Sequence, residues 1–369
     1  MKVNTISLNS VRLNTIALNH IGEIRSGGGG SKPSPIHQWI REHVVFYYDV
    51  KKQGATNETL KESAYLQDLS GKGRRMKLNN FLFAEMSGVG GYNDNFSNWK
   101  TDSNNGVVKI ESDSSIVMQS VKIEYRGVLY QDSIKKATLK CNITGITEEL
   151  KGKLIFKYTD AEGGKNITLE NGYFEFNSSE YEGLSGWYGF TSKQPIDNCN
   201  ITITQIPEYP GALVTDGVDD YGLVENLSSG VKMLFMTVNP IGDFNISKMF
   251  YSQRKDPIVI NPFYIFTGGS SIAYSGNRDG VTYINGVLNK SIKYNELFGV
   301  KHIITTVNAN VKPETSKAPS FFWEEGNTKN YCSKLAFYNS IAFNSIPTEA
   351  DGFTEQELID YVITNIIGQ

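Results

Sequence analysis

The chain has 369 residues, of which 39% are hydrophobic and 20% charged, and its formal net charge is −3. This length predicts about two or three folded units, and the near-neutral charge gives no electrostatic basis for binding nucleic acid. No apolar run approaches the roughly 18–20 residues that a membrane-spanning helix needs. The three cysteines, Cys141, Cys199 and Cys332, show neither metal-ligand spacing nor a disulfide framework. We therefore expect a reduced protein, made in a cytoplasm, with no nucleic-acid or membrane partner.

Residues 1–26 repeat a five-residue unit in which Asn is followed by Ile or Val and then by Leu. Strand alternation places the apolar members of each unit on one face. About twenty residues cannot bury such a face alone, so the segment is predicted to anchor or oligomerise the protein. The segment could form a hairpin or flat strands, a β-solenoid coil, or strands wound around neighbouring chains. The predicted anchor residues are Ile6, Leu8, Val11, Leu13, Ile16, Leu18 and Ile21.

A linker, "GGGGSKPSP" at residues 27–35, separates this segment from the body. A short helix around Trp39 is predicted to precede a strand over Val44–Val50. Residues 105–206 read as short alternating strands with turn signals between them, which is typical of a small antiparallel sandwich. Residues 212–346 return to strands, with a tight hairpin at Asn285-Gly286.

The chain closes with a predicted helix. Thr354 is its expected N-cap, Glu357 completes a capping box, and Phe353 is placed to pack onto Leu358. Leu358, Val362 and Ile366 form one apolar stripe along this helix.

Three stretches together resemble the laminin-G-like, concanavalin-A-like jelly roll. "LQDLSGKGRRMKL" is similar to the opening turn of that family, "ALVTDGVDDYGLV" to a central strand and turn, and "KLAFYNSIAF" with "FTEQELIDYV" to its closing strand and helix. The first two motifs lie much farther apart here than in ordinary members. The resemblance therefore implies an all-β, discontinuous jelly roll formed by 36–104 and 207–369, with residues 105–206 as an inserted β-sandwich.

The same arrangement, with the Asn-rich repeat, resembles structural proteins of phages that infect Bacteroides-type bacteria, including crAss-like phages. That resemblance implies a head fibre or tail fibre on the virion surface, synthesised in the host cytoplasm. The expected partners are identical chains in a homotrimer, capsid or tail proteins bound through residues 1–26, and cell-surface polysaccharide. The alternative is a stand-alone, lectin-like carbohydrate-binding module.

Catalytic signatures are not found, so a non-enzymatic protein without a cofactor is predicted. The chain has no H-E-x-x-H metal motif and no G-x-S-x-G elbow. Glu324 and Glu325 are adjacent, and strand alternation would send them to opposite faces, unlike the facing carboxylates of a glycosidase. The best acidic cluster comprises Asp216, Asp219 and Asp220. It is a candidate Ca²⁺ site, although short Asp side chains more often cap their own turn.

Aromatic residues among Gly, Asn and Ser are the remaining candidates for binding. Rings in polar loops can stack on sugars or anchor a protein interface, and they can equally plug the ends of a sandwich. The predicted glycan-binding or partner-binding residues are Tyr92, Trp99, Tyr181, Trp187 and Tyr188.

Overall fold

The structure is a computed structural model that describes residues 34–122, 128–132, 138–181, 183–184, 186–227, 230–241, 248–254, 264–268, 271–273, 280–289, 294–309, 311, 316–322 and 332–368. Three predictions lie outside these residues: the anchor, almost all of the linker, and the Glu324-Glu325 pair. The anchor residues concerned are Ile6, Leu8, Val11, Leu13, Ile16, Leu18 and Ile21.

The described chain is built mainly of antiparallel strands, which confirms the predicted all-β sandwich class. It divides into two compact units. Unit 1 comprises the residues up to Phe83, Ser87–Val89, and the residues from Gly211 onward. Unit 2 comprises Ala84–Met86 and Gly90–Pro210.

The described residues of unit 1 form two large sheets and four short α-helices. Its strands are β1 Val44–Asp49, β2 Tyr65–Leu66, β3 Met76–Asn79, β4 Gly88–Val89, β15 Leu213–Val214, β16 Tyr221–Val224, β17 Met233–Pro240, β18 Lys248–Arg254, β19 Tyr264–Gly268, β20 Ser271–Ala273, β21 Val281–Ile284, β22 Val287–Asn289, β23 His302–Val307, β24 Ser316–Phe321 and β25 Leu335–Phe343. Its helices are α1 Pro35–His43, α2 Asn57–Ser63, α3 Tyr294–Leu297 and α4 Glu355–Val362, and α4 continues into a π-helical turn, Ile363–Ile367.

Sheet I has eight strands in the order β22-β21-β23-β17-β25-β15-β4, with β1 also paired to β25. Sheet II has seven, in the order β2-β3-β16-β24-β18-β19-β20. One apolar core joins residues of both sheets, including Phe46, Tyr251 and Phe321. A second core lies on the other face of sheet I, where Trp39 of α1 and Leu358 of α4 pack with its strands.

Unit 2 is a sandwich of two five-stranded sheets. Sheet III has the order β11-β10-β13-β8-β5, and sheet IV has the order β12-β9-β14-β7-β6. One core rich in aromatic rings fills the unit, with Phe156 in contact with four other rings. The strands are β5 Lys100–Thr101, β6 Gly106–Ser112, β7 Ser115–Val121, β8 Leu129–Gln131, β9 Thr138–Thr144, β10 Leu154–Asp160, β11 Gly163–Thr168, β12 Gly172–Asn177, β13 Tyr188–Ser192 and β14 Ile201–Gln205.

The long segment that forms most of unit 2, Gly90–Pro210, leaves unit 1 and re-enters it at one place. Strands β4 and β15 are paired, with Val89 opposite Leu213, and these strands flank the segment that forms unit 2. The segment begins at Gly90, earlier than the predicted position 105. Phe96 and Trp99 belong to the unit 2 core, and β5 pairs with β8. The residues just before 105, which were predicted to belong to the jelly roll, therefore belong to the inserted sandwich.

Several local predictions are confirmed. Helix α1 precedes β1, and the hairpin β21–β22 turns through Asn285 and Gly286, both of which have positive φ. Helix α4 carries the Thr354–Glu357 capping box, and Phe353 and Leu358 are buried in one core. The apolar stripe of Leu358, Val362 and Ile366 faces that same core. Among the described helices, none is long and apolar enough to cross a bilayer.

Candidate functional site

The acidic turn between β15 and β16 brings the three predicted carboxylates together. One oxygen each from Asp216, Asp219 and Asp220 lies within 4.8 Å of the others. Asp220 is fully buried, whereas Asp216 and Asp219 are half-buried. Oxygens at this spacing fit the ligand-to-ligand distances around Ca²⁺, whose bonds to oxygen are about 2.3–2.6 Å.

Hydrogen bonds inside unit 1 already engage two of these side chains. Asp216 Oδ1 accepts from the backbone N–H of Val218 at 2.7 Å and of Asp219 at 3.3 Å. Asp220 Oδ2 accepts from the N–H of Asp216 at 2.8 Å, and its Oδ1 accepts from the Ser87 hydroxyl at 3.1 Å. These contacts are those of a self-capped turn. The geometry therefore explains Asp216 and Asp220 without a metal ion.

Burial makes Asp220 the unusual member of this turn. It raises the pKa of the Asp220 carboxyl to about 7, and the neighbouring negative charges of Asp216 and Asp219 act in the same direction. The hydrogen bonds from Asp216 N–H and the Ser87 hydroxyl lower the pKa and only partly offset the burial. Near neutral pH the turn therefore exchanges a proton at a site that is out of contact with solvent.

This carboxyl should make the stability of unit 1 depend on pH. Its folded-state pKa lies above the value of about 3.9 expected in an unfolded chain, so between about pH 4 and 7 the folded state binds more protons. The contribution is fully present below pH 4 and is lost as the pH rises through 7. We expect Asp220→Asn to remove this slope and to stabilise unit 1 at pH 8 by about 1–3 kcal/mol. Urea unfolding at a series of pH values measures the effect.

The same variant tests the turn as a calcium site. An asparagine amide can still accept from Asp216 N–H, but it supplies no charge to a cation. If the cluster binds Ca²⁺, millimolar Ca²⁺ at pH 8 should stabilise the wild-type protein and leave Asp220→Asn unchanged. Equal unfolding curves for the wild type in Ca²⁺ and in EDTA would contradict a calcium site and would indicate that the carboxylates only cap their own turn.

Three of the five aromatic residues predicted as exposed binding groups are buried. Trp99 is 4% exposed, Trp187 7% and Tyr188 2%. Trp99 stacks on Phe190 with 5.7 Å between ring centroids. The Tyr188 hydroxyl is hydrogen-bonded to Asp94. The interpretation of these three rings as exposed is therefore wrong, because strand pairing distant in sequence covers them.

The other two predicted rings are half-buried. Tyr181 stacks on Phe176 at 5.3 Å and lies 4.6 Å from the Tyr158 ring, so it packs against the unit 2 core. Tyr92 is also half-buried, and its backbone N–H donates to the Glu85 carbonyl at 2.8 Å. Neither ring presents a free aromatic face comparable with that of an exposed tyrosine.

Sequence reasoning missed the most exposed aromatic ring in the described part of unit 2. Tyr173 is 62% exposed and lies on β12, an edge strand of sheet IV. Its hydroxyl donates to Glu175 Oε2 at 2.5 Å. The signal was the alternation in "GYFEF", where Phe174 and Phe176 face the core, so Tyr173 and Glu175 must face outward.

These features define an all-β protein of two sandwich units with a buried acidic turn in one and an outward tyrosine in the other. No protein-family model, no curated protein and no solved structure matches the chain.

Proposed function

We propose that the protein is a non-enzymatic structural protein of a virion, a homo-oligomeric fibre, most simply a trimer. Residues 1–26 attach it to capsid or tail, and its sandwich units are displayed for adhesion to bacterial surface glycans. The resemblance to phage structural proteins supplies the setting. The repeat supplies the anchor, because its apolar face is too small to be buried without partner chains.

One structural observation carries the proposal. A complete sandwich with its own core is inserted at a single pair of neighbouring strands of another sandwich. Such an insertion adds a displayed unit while the strands that hold unit 1 together keep their pairing. A homo-oligomer would carry one such unit per chain, and weak binding units become effective when several copies are held together.

The oligomeric state of two proteins tests the anchor. Size-exclusion chromatography with light scattering should give a trimer for the full chain and a monomer for a variant that starts at Ser34. The shortened variant should also fail to enter virus particles. Two monomers, together with normal incorporation of the shortened variant, would falsify the proposal.

The second candidate is a stand-alone carbohydrate-binding module. It is favoured by the outward face of sheet IV, where Tyr173 lies next to polar residues. A module of this kind predicts that the full chain is a monomer or dimer and is retained by polysaccharide. A trimer would exclude this candidate even if sugar were bound.

A further inference from the structure

The outward face of sheet IV carries a row of polar side chains in register. Tyr173 on β12 lies opposite Asn142 on β9, Asn142 opposite Thr204 on β14, and Thr204 opposite Ser115 on β7. Directly paired residues project to the same face, so these four groups form one line across four strands. With strands about 4.8 Å apart, the line is roughly 14 Å long, which suits a short oligosaccharide.

The side chains in this row differ in whether they already hydrogen-bond to other side chains of the protein. Tyr173 and Asn142 are exposed, and within the described residues the Asn142 amide has no hydrogen-bond partner. The Thr204 and Ser115 hydroxyls lie 3.2 Å apart and bond to each other. The Tyr173 ring is held by its hydroxyl on Glu175, which fixes an aromatic face beside a free amide. An oriented ring beside hydrogen-bonding groups matches the two surfaces of a sugar, one apolar and one rich in hydroxyls.

The charges beside the row are paired with one another. Lys140, opposite Glu175, lies 2.8 Å from Glu208 Oε1, and Asn93 donates to that same oxygen at 2.8 Å. The carboxylate of Glu208 raises the pKa of Lys140, which therefore stays protonated. One lysine and two glutamates leave the patch slightly negative, so an acidic polysaccharide is disfavoured by like charge. A neutral ligand meets no uncompensated cation and no repulsion.

We propose that this face binds neutral, hydroxyl-rich glycan chains, with Tyr173 stacking on a sugar ring and Asn142 and Glu175 bonding its hydroxyls. The inference rests on the proposed adhesive function and names the site and the ligand class for it. Trp187 and Tyr188, which are both buried, play no part in binding.

The test uses the full chain and two classes of immobilised polysaccharide. Neutral glucan, mannan and galactan form one set, and polygalacturonate is the acidic comparison. Affinity electrophoresis should show retention by at least one neutral polymer and none by polygalacturonate. Tyr173→Ala should weaken retention about ten-fold or more, whereas Tyr173→Phe, which keeps the ring, should stay within about three-fold of wild type.

Two controls isolate the site. Val287 on unit 1 is 70% exposed, so Val287→Ala changes a comparably exposed side chain and should leave retention unchanged. Asn142→Ala should weaken retention through a lost hydrogen bond while the thermal unfolding of unit 2 is preserved. Retention that is absent for every neutral polymer, unaffected by Tyr173→Ala, or limited to polygalacturonate would overturn the inference. The oligomeric state is measured in a separate experiment, so the two proposals can fail independently. A trimer that binds no glycan would contradict this inference alone. A monomer that binds glycan would contradict the fibre proposal alone.

Discussion

Replacing Trp99 by alanine is expected to lower the free energy of unfolding of unit 2 by about 3–5 kcal/mol. The indole is 4% exposed and stacks on Phe190. It also makes edge contacts with Phe96 at 5.4 Å and with Tyr188 at 5.6 Å. Alanine would leave a large cavity among rings that cannot collapse onto one another. Urea unfolding of unit 2 gives the change directly.

Two further variants make this result specific. The Trp99 indole N–H has no hydrogen-bond partner among the described residues, so Trp99→Phe removes an unsatisfied donor while it keeps much of the ring volume, and should cost only about 1 kcal/mol. Tyr173→Ala should change stability by less than about 0.5 kcal/mol, because that ring is on the surface. A Trp99→Ala protein as stable as wild type would contradict the burial of this ring.

Asp49→Ala is expected to destabilise unit 1 by about 3 kcal/mol. The Asp49 carboxylate is 4% exposed and accepts from the backbone N–H of Lys52 at 2.7 Å and from the Tyr47 hydroxyl at 3.1 Å. The Tyr47 hydroxyl lies 3.3 Å from the Ile366 carbonyl, and Lys52 Nζ donates to that carbonyl at 2.7 Å. Loss of the carboxylate therefore leaves the Lys52 N–H without its acceptor and removes one of the two acceptors of the Tyr47 hydroxyl, which loosens the end of the C-terminal helix.

Matched substitutions separate charge from hydrogen bonding at this position. Asp49→Asn keeps an acceptor for the Lys52 N–H and should cost about half as much as alanine. Lys52→Met removes the ammonium from the helix end and should cost about 1 kcal/mol. Hydrogen exchange should show faster opening of Ile363–Ile367 in both Asp49→Ala and Lys52→Met. Unchanged exchange in this turn would disprove the role given to the network.

The features predicted correctly from the sequence are those with local causes. The capping box of Thr354 and Glu357 and the positive-φ turn at Asn285-Gly286 depend on residues within a few positions of each other. Alternation within strands also predicted the all-β class. These signals are complete in short windows of sequence, so no knowledge of the fold was needed to use them.

The errors arose where the burial of a ring or the boundary of a unit depends on pairing between strands that are distant in sequence. Trp99 follows a polar stretch, yet the start of unit 2 lies before it, because Lys100 on β5 pairs with Tyr130 on β8. Trp187 and Tyr188 adjoin glycines, yet β13 places Tyr188 in the core. Glycine and serine around a ring indicate irregular backbone, and they carry no information about which other segment covers the ring.

The pairing of Val89 with Leu213 sets a simple geometric condition on everything between them. A replacement segment would need only to bring its own two ends about 5 Å apart, the distance between facing residues of neighbouring strands. Evolution could then exchange one inserted domain for another while the pairing of strands β4 and β15 in unit 1 stays the same.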